Sequence, residues 1–267
     1  MDLQEYTRRK PVPFQNYVLV LILFGFIVIA LQYAVLSVLA VRQKMEAINE
    51  QVDVKLSAVN TQPVDSAWFE LYKEKAWLET RVQIARTDSI SLSVNLKDSV
   101  LQLELKGVVL KSVKIIDFAA DAFFYQLNPG AYHHLFGTQA QGGSNYSTIV
   151  KAPITIKKAP KDTSEVRTEV VAKIDSAKVE AVHWMLTLDN GVLFKIEGTD
   201  QYLKSNWWVG RKFWFWQDLH KITQDLRQTV QFEIPEYQPE IRVHISEAEA
   251  RAIFRALPVH PLICIRF

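Results

Sequence analysis

The chain is poor in the residues that would announce a metal or redox protein. One cysteine, Cys264, occurs in 267 residues, which rules out an internal disulfide and any zinc site built from several thiolates. Glycine is scarce, at nine residues, and no Gly-rich phosphate loop, HExxH or GxSxG motif is present. A surplus of one charge is lacking too, with 31 Lys and Arg against 29 Asp and Glu and a net charge of +2. Nucleic acid is therefore not expected as a partner, since phosphate binding needs a concentrated basic face. Apolar residues are what the chain has in quantity. They make up 49% of it, against 22% charged, which excludes a disordered or collagen-like chain.

Residues 17–41 read YVLVLILFGFIVIALQYAVLSVLAV, without a charge. As a helix at about 1.5 Å per residue this run is roughly 37 Å long, enough to cross a hydrocarbon core of about 30 Å with some tilt. A cleaved signal peptide has an apolar core of about 7–15 residues followed by a small-x-small site, which does not follow a core of that size here. The run reads as a retained signal anchor. Gln32 is its only strongly polar residue, either a hydrogen-bonding handle for a partner helix or a single tolerated amide. Arg8, Arg9 and Lys10 precede the run while Arg42, Lys44 and Lys55 follow it. The positive-charge balance that sets orientation is a tie.

Beyond the anchor, residues 42–86 read as a helical stalk. Val41, Met45, Ile48, Val52 and Val59 fall on a and d heptad positions, with Lys55 interrupting the seam; they suit either a short parallel homodimer through residues 41–59 or packing on the chain's own domain. Thr61, Gln62 and Pro63 break the helix, and Asp65 or Ser66 caps a second one carrying Trp68, Phe69, Tyr72, Leu78, Val82 and Ile84. The period then changes from helical to alternating. Ile90, Leu92, Val94 and Leu96 predict a half-buried strand, and turns at Lys97-Asp98 and Lys106-Gly107 make a three-strand meander ending near Ile116. Residues 128–146, with Pro129, Gly130, Gly137, Gly142 and Gly143, read as an extended loop, and 159–167 as a polar insertion. Asp189-Asn190-Gly191 joins two strands in a hairpin. Ser246, with Glu249 three residues on, opens an amphipathic helix to Leu257, and residues 262–267 form a last strand.

Three of these segments, taken in order, bring a family into view. Residues 88–116, DSISLSVNLKDSVLQLELKGVVLKSVKII, resemble the opening strands of an L,D-transpeptidase catalytic domain. The hairpin at 184–200, WMLTLDNGVLFKIEGTD, looks like that family's dNG-x-x-x-HGT segment. The tail at 245–267, ISEAEARAIFRALPVHPLICIRF, is similar to its closing helix and strand. The resemblance covers residues 88–267 and implies a mainly β domain with flanking helices, a β-sandwich, outside the cytoplasm.

The resemblance also implies that catalysis has been lost. Glu197 stands where the family has the His of HGT, followed by Gly198 and Thr199. PEIRVHIS at 239–246 replaces the SHGC-x-R-x-S nucleophile segment, so that Arg242 takes the Cys position and His244 the Arg position. Transpeptidation by this family needs a Cys thiolate generated by a neighbouring His. Cys264 lies in an apolar terminal strand, where a small buried hydrophobe is the expected role. His133-His134 sits in a loop without carboxylates nearby, and His183, His220, His244 and His260 are scattered, so no metal and no cofactor are expected. Glu197 beside His244 offers either an acid/base pair for a residual cell-wall peptide hydrolase or a structural ion pair filling the old cleft.

The aromatic run NWWVGRKFWFWQDLHK at 206–221 is the remaining feature. Trp207, Trp208, Phe213, Trp214, Phe215 and Trp216 lie next to Arg211, Lys212, His220 and Lys221. The run reads as a lid over the vanished active site, as an interfacial element at the bilayer headgroups, or as an exposed partner surface formed by Trp207, Trp208, Arg211, Phe213, Trp214 and Trp216. The resemblance places the chain in the inner membrane, with residues 1–16 cytoplasmic and 88–267 periplasmic. The expected function is binding peptidoglycan or scaffolding envelope proteins as a pseudoenzyme. The alternatives are the residual hydrolase and a subunit of an inner-membrane complex that never touches peptidoglycan.

Overall fold

Residues 14–56, 66–151, 181–199 and 206–267 are described by a computed structural model. The expected insertion at 159–167 and all but three residues of the expected tail lie outside them, as does Val59 of the heptad stripe. The chain divides into two units, one holding residues 14–44 and 219–237 and the other 45–218 and 238–267.

In the larger unit the meander forms as its turns dictate. Strands β1 (Ile90–Asn95), β2 (Val100–Leu105) and β3 (Val108–Lys114) pair antiparallel. Lys106 and Gly107 both take positive φ, 52° and 78°, the backbone of the two-residue turn that matches strand twist. The chain then leaves for the far edge of the sheet as β4 (Asp117–Ala120). It continues through α3 (Ala122–Tyr125), α4 (Pro129–Phe136), β5 (Ala140–Ser147), β6 (His183–Leu188), β7 (Leu193–Gly198), α5 (Asn206–Val230), β8 (Glu240–Ile245), α6 (Glu247–Ala256) and β9 (Leu262–Arg266). The order of the nine described strands is β3-β2-β1-β9-β5-β6-β7-β8-β4. This is one mixed sheet, joined edge to edge where the sequence reading expects a sandwich. The joint is β5, whose Ala140 and Gln141 pair with β9 and whose later residues pair with β6 after a register shift between Gly142 and Asn145.

Two local expectations are corrected. Residues 128–146 are not an extended loop: Asn128 Oδ1 accepts from the Ala131 amide at 2.7 Å and caps α4, with Pro129 at its first turn. Pro and Gly open this helix instead of breaking the chain. Gly142 is a strand residue, and Pro261 Cδ lies 2.9 Å from where its Cβ would stand. Strand β1 is also buried on both faces, Ser91, Ser93 and Asn95 included; it is an interior strand, paired with β2 on one side and β9 on the other, and a helix packs on the neighbouring β9. That helix is α2 (Ser66–Ala85), whose Trp77 and Ile84 pack against Cys264 and whose Arg81 binds Glu104 at 2.7 Å. The second helix of the expected stalk therefore packs on the sheet. Cys264 is the buried hydrophobe its strand suggests, and burial pushes its thiol up to about 12.

Helix α1 (Phe14–Leu56) runs unbroken for 43 residues, so anchor and first stalk segment are one helix. It includes a candidate membrane span, Leu19–Glu50, by length and apolarity. Leu21, Phe24 and Phe26 in the span are well exposed, as lipid-facing side chains would be. Past residue 44, Ile48 is 4% exposed and Asn49 Oδ1 accepts from Asn128 Nδ2 at 3.0 Å. One seam position of the heptad stripe is thus used within the chain's own larger unit.

Candidate functional site

Strands β6, β7 and β8 alternate strictly. Trp184 and Leu186, Phe194 and Ile196, and Ile241, Val243 and Ile245 are all buried on one face. There Trp184 donates to the Ala250 carbonyl of α6 at 3.3 Å and meets the Phe254 ring. Ser246 caps that helix, its hydroxyl accepting from the Glu249 amide and donating to the Glu249 carboxylate at 2.9 Å.

The other face carries His183, Lys195, Glu197, Glu240, Arg242 and His244. Register explains their meeting: Glu197 is opposite His183 on one side and His244 on the other, and Lys195 is opposite Arg242. Lys195, 3% exposed, holds Glu240 at 2.6 Å, and the Arg242 guanidinium holds the other Glu240 oxygen at 2.7 Å. Arg242 Nε also reaches Glu197 at 3.3 Å, with His244 Nδ1 at 3.7 Å from that carboxylate. Asp218 of α5 lies 3.9 Å from Lys195. Burial alone would raise the Glu240 carboxyl, but Lys195 and Arg242 outweigh it and hold Glu240 below its ordinary value. Burial likewise disfavours the Arg242 charge, and Glu240 and Glu197 reverse the balance.

The first half of α5 covers this face. The Trp214 ring lies 4.8 Å from the Lys195 ammonium and 5.7 Å from the Arg242 guanidinium, a cation–π arrangement. Phe213 stacks on His183 and Trp214 meets it edge-on. Gly210 makes the approach possible, since a Cβ there would run into the His183 ring. His183 is pushed down to about 4 by burial and, secondarily, by His244, so it is neutral at pH 7.

Of the residues singled out from sequence, the structure brings Glu197, Arg242 and His244 together and leaves Gly198 and Thr199 outside the polar cluster. Gly198 faces α6, where a Cβ would come 2.8 Å from the Val182 carbonyl oxygen and 3.0 Å from Glu247 Cα. The Thr199 amide donates to Ile245 at 2.7 Å. The aromatic run separates into buried Trp214, half-buried Phe213 and exposed Phe215 and Trp216. Arg211 is exposed on the same helix. The side chains of Trp207, Trp208 and His220 lie outside the described residues. His133 and His134 are half-buried on α4, the former against Tyr72. Among the described residues no three His, Cys, Asp or Glu side chains are grouped to hold a metal. At the other end of β6 an open depression of about 370 Å³ is lined by Gln141, Gly142, Asp189 and His260.

Sequence reasoning missed Lys195, Glu240, His183 and Asp218. The available signal was the period-two charge pattern, Lys195-x-Glu197 beside Glu240-x-Arg242-x-His244, in strands otherwise built from Phe, Ile and Val. Chemically, the cluster is a set of mutually neutralised ions beneath an aromatic cover, with no thiol or hydroxyl nucleophile among its members. No family model, no curated protein and no solved structure matches this chain.

Proposed function

We propose that the chain is a membrane-anchored, non-catalytic scaffold of the cell envelope, an L,D-transpeptidase-like body whose active-site position has been filled. The observation that carries this reading is the closed cluster. Glu197 and Arg242, at the positions that the resemblance assigns to the family's His and Cys, are ion-paired at 3.3 Å, and Trp214 of the chain's own helix lies over Arg242. A substrate groove would need these groups open and unpaired. The apolar helix of 25 uncharged residues at 17–41 supplies the anchor, and the resemblance places the body in the periplasm with the N-terminus cytoplasmic.

A second reading has one observation in its favour. The Arg242 and His244 side chains keep 34% and 26% of their surface exposed, a rim at which the carboxylate of a peptidoglycan stem peptide can bind. The full chain in detergent, mixed with purified sacculi at low and moderate salt, separates the readings. A scaffold releases no muropeptide and does not sediment with sacculi at moderate salt, and it leaves native membranes with a stoichiometric protein partner. Salt-resistant sedimentation lost in Arg242→Ala favours stem-peptide binding. Muropeptide release abolished by Glu197→Gln favours hydrolysis and overturns both.

A further inference from the structure

We infer that the last turns of α5 and the residues after it are seated in the headgroup region of the membrane that α1 crosses, with lipid as the occupant of an apolar helix face that the fold leaves uncovered. This rests on the membrane-anchor reading and goes beyond it.

The first support is a height marker inside the smaller unit. Gln32 Nε2 donates to the Thr229 carbonyl at 2.6 Å, and Thr229 is fully buried. The uncharged run 17–41 is roughly 37 Å long, so centred on a hydrocarbon core of about 30 Å it overhangs by about 3–4 Å at each end. Gln32, nine residues before the end of the run, then lies about 10 Å inside the boundary, the deep limit of the roughly 5–10 Å depth of interfacial helices. Thr229 shares that depth because it is bonded there.

The second support is the pattern of the helix. Leu219, Ile222 and Leu226 follow at intervals of three and four and make one stripe, and Ile222 and Leu226 are exposed. A turn earlier the same helix exposes Phe215 (57%) and Trp216 (60%). Along α5, Arg211, Lys212, Lys221 and Arg227 stand against Asp218 and Asp225, a basic excess that suits anionic headgroups.

The third support is Phe232. Helix α5 ends in a Schellman motif, with the Phe232 amide on the Thr229 carbonyl and the Glu233 amide on Gln228 at 2.9 Å. The left-handed position of that motif normally takes glycine, but here Phe232 holds it at φ 59° with 79% of its surface exposed. Strained backbone and an exposed phenyl ring are both costs in water. Burying the ring among acyl chains offsets them.

Cys264 is buried, so single cysteines introduced into the full chain can be labelled selectively with a fluorophore. In vesicles of phosphatidylethanolamine and phosphatidylglycerol, labels at I222C, L226C and F232C are expected to be quenched by lipid-borne nitroxide. They should lose most of the iodide quenching shown by a label at exposed Gln224, on the opposite side of the helix. A label at Leu23 in α1 tests the anchor itself. If Leu23 is lipid-quenched while the α5 labels respond to iodide as Gln224 does, this inference fails and the anchor stands. If the α5 labels respond to neither quencher, a protein covers the face and lipid is again excluded as its occupant. If Leu23 responds to iodide, the anchor reading falls and takes the inference with it.

Discussion

The two faces of the β6–β7–β8 ribbon come from alternate residues of the same three strands, and a helix packs on each. They are held in different ways. On the α6 side, Trp184, Phe194, Ile196, Ile241, Val243 and Ile245 bury apolar area, a non-directional gain for which shape matters more than register. On the α5 side, Lys195, Glu197, Glu240 and Arg242 are stabilised only because each charge has a partner within about 4 Å. One face tolerates a change of apolar identity. The other depends on its charges staying paired.

Mutations at neighbouring positions of β7 break the comparison most directly. Phe194→Ala, on the apolar side, is expected to cost about 3–5 kcal/mol, seen as a lower denaturation midpoint of the full chain in detergent. Lys195→Ala, one residue away on the charged side, should cost about 3 kcal/mol because Glu240 loses its closest cation. The faces part in how they are rescued. The double variant Lys195→Met with Glu240→Leu should recover part of the loss in the same denaturation measurement, Arg242 then resting on Glu197 alone, whereas no charge removal rescues Phe194→Ala.

Acid sharpens the contrast further. His183 has a pKa of about 4 in the folded chain against about 6.5 unfolded. Above pH 6.5 both states are neutral there and the group contributes no pH dependence. Below it the unfolded chain takes up a proton that the folded chain refuses, so stability falls between pH 6.5 and 4 and then levels. The loss is at most about 3 kcal/mol. Denaturation midpoints at pH 7.5 and 5 check this, and His183→Leu should shrink the difference. Glu197→Gln is the mildest change, at about 1 kcal/mol by chemical denaturation, because Arg242 keeps its two hydrogen bonds to Glu240 Oε1. A larger loss would mean that Glu197, and not Glu240, anchors Arg242.

What was legible in the sequence follows the range of each signal. The Lys106-Gly107 turn, the hairpin of β6 and β7 about Asp189-Asn190-Gly191 and the Ser246 cap depend on residues within a few positions of one another, and each appears where its pattern lies. The α4 helix was hidden because Pro129 and Gly130, ordinary loop markers, here follow an Asn128 cap. The aromatic run advertises its chemistry and not its period, and only the helix it forms divides buried Trp214 from exposed Trp216. Glu197, Arg242 and His244 were found through a resemblance, while Lys195 and Glu240, which complete their network, carry no motif.

By itself the sequence determined one uncharged run long enough to cross a bilayer, a meander and a hairpin with their turns, a capped closing helix and a single thiol, Cys264. Tertiary structure alone decided that β5 ties the strands into a single sheet, that β4 crosses to the far edge, and that Trp214 closes over Lys195 and Arg242. The physical reason is distance along the chain. Turns and caps are settled by neighbouring backbone groups, but the pairing of β7 with β8, which sets Glu197 against His244 across 47 positions, is fixed only when the apolar faces of both strands are buried together.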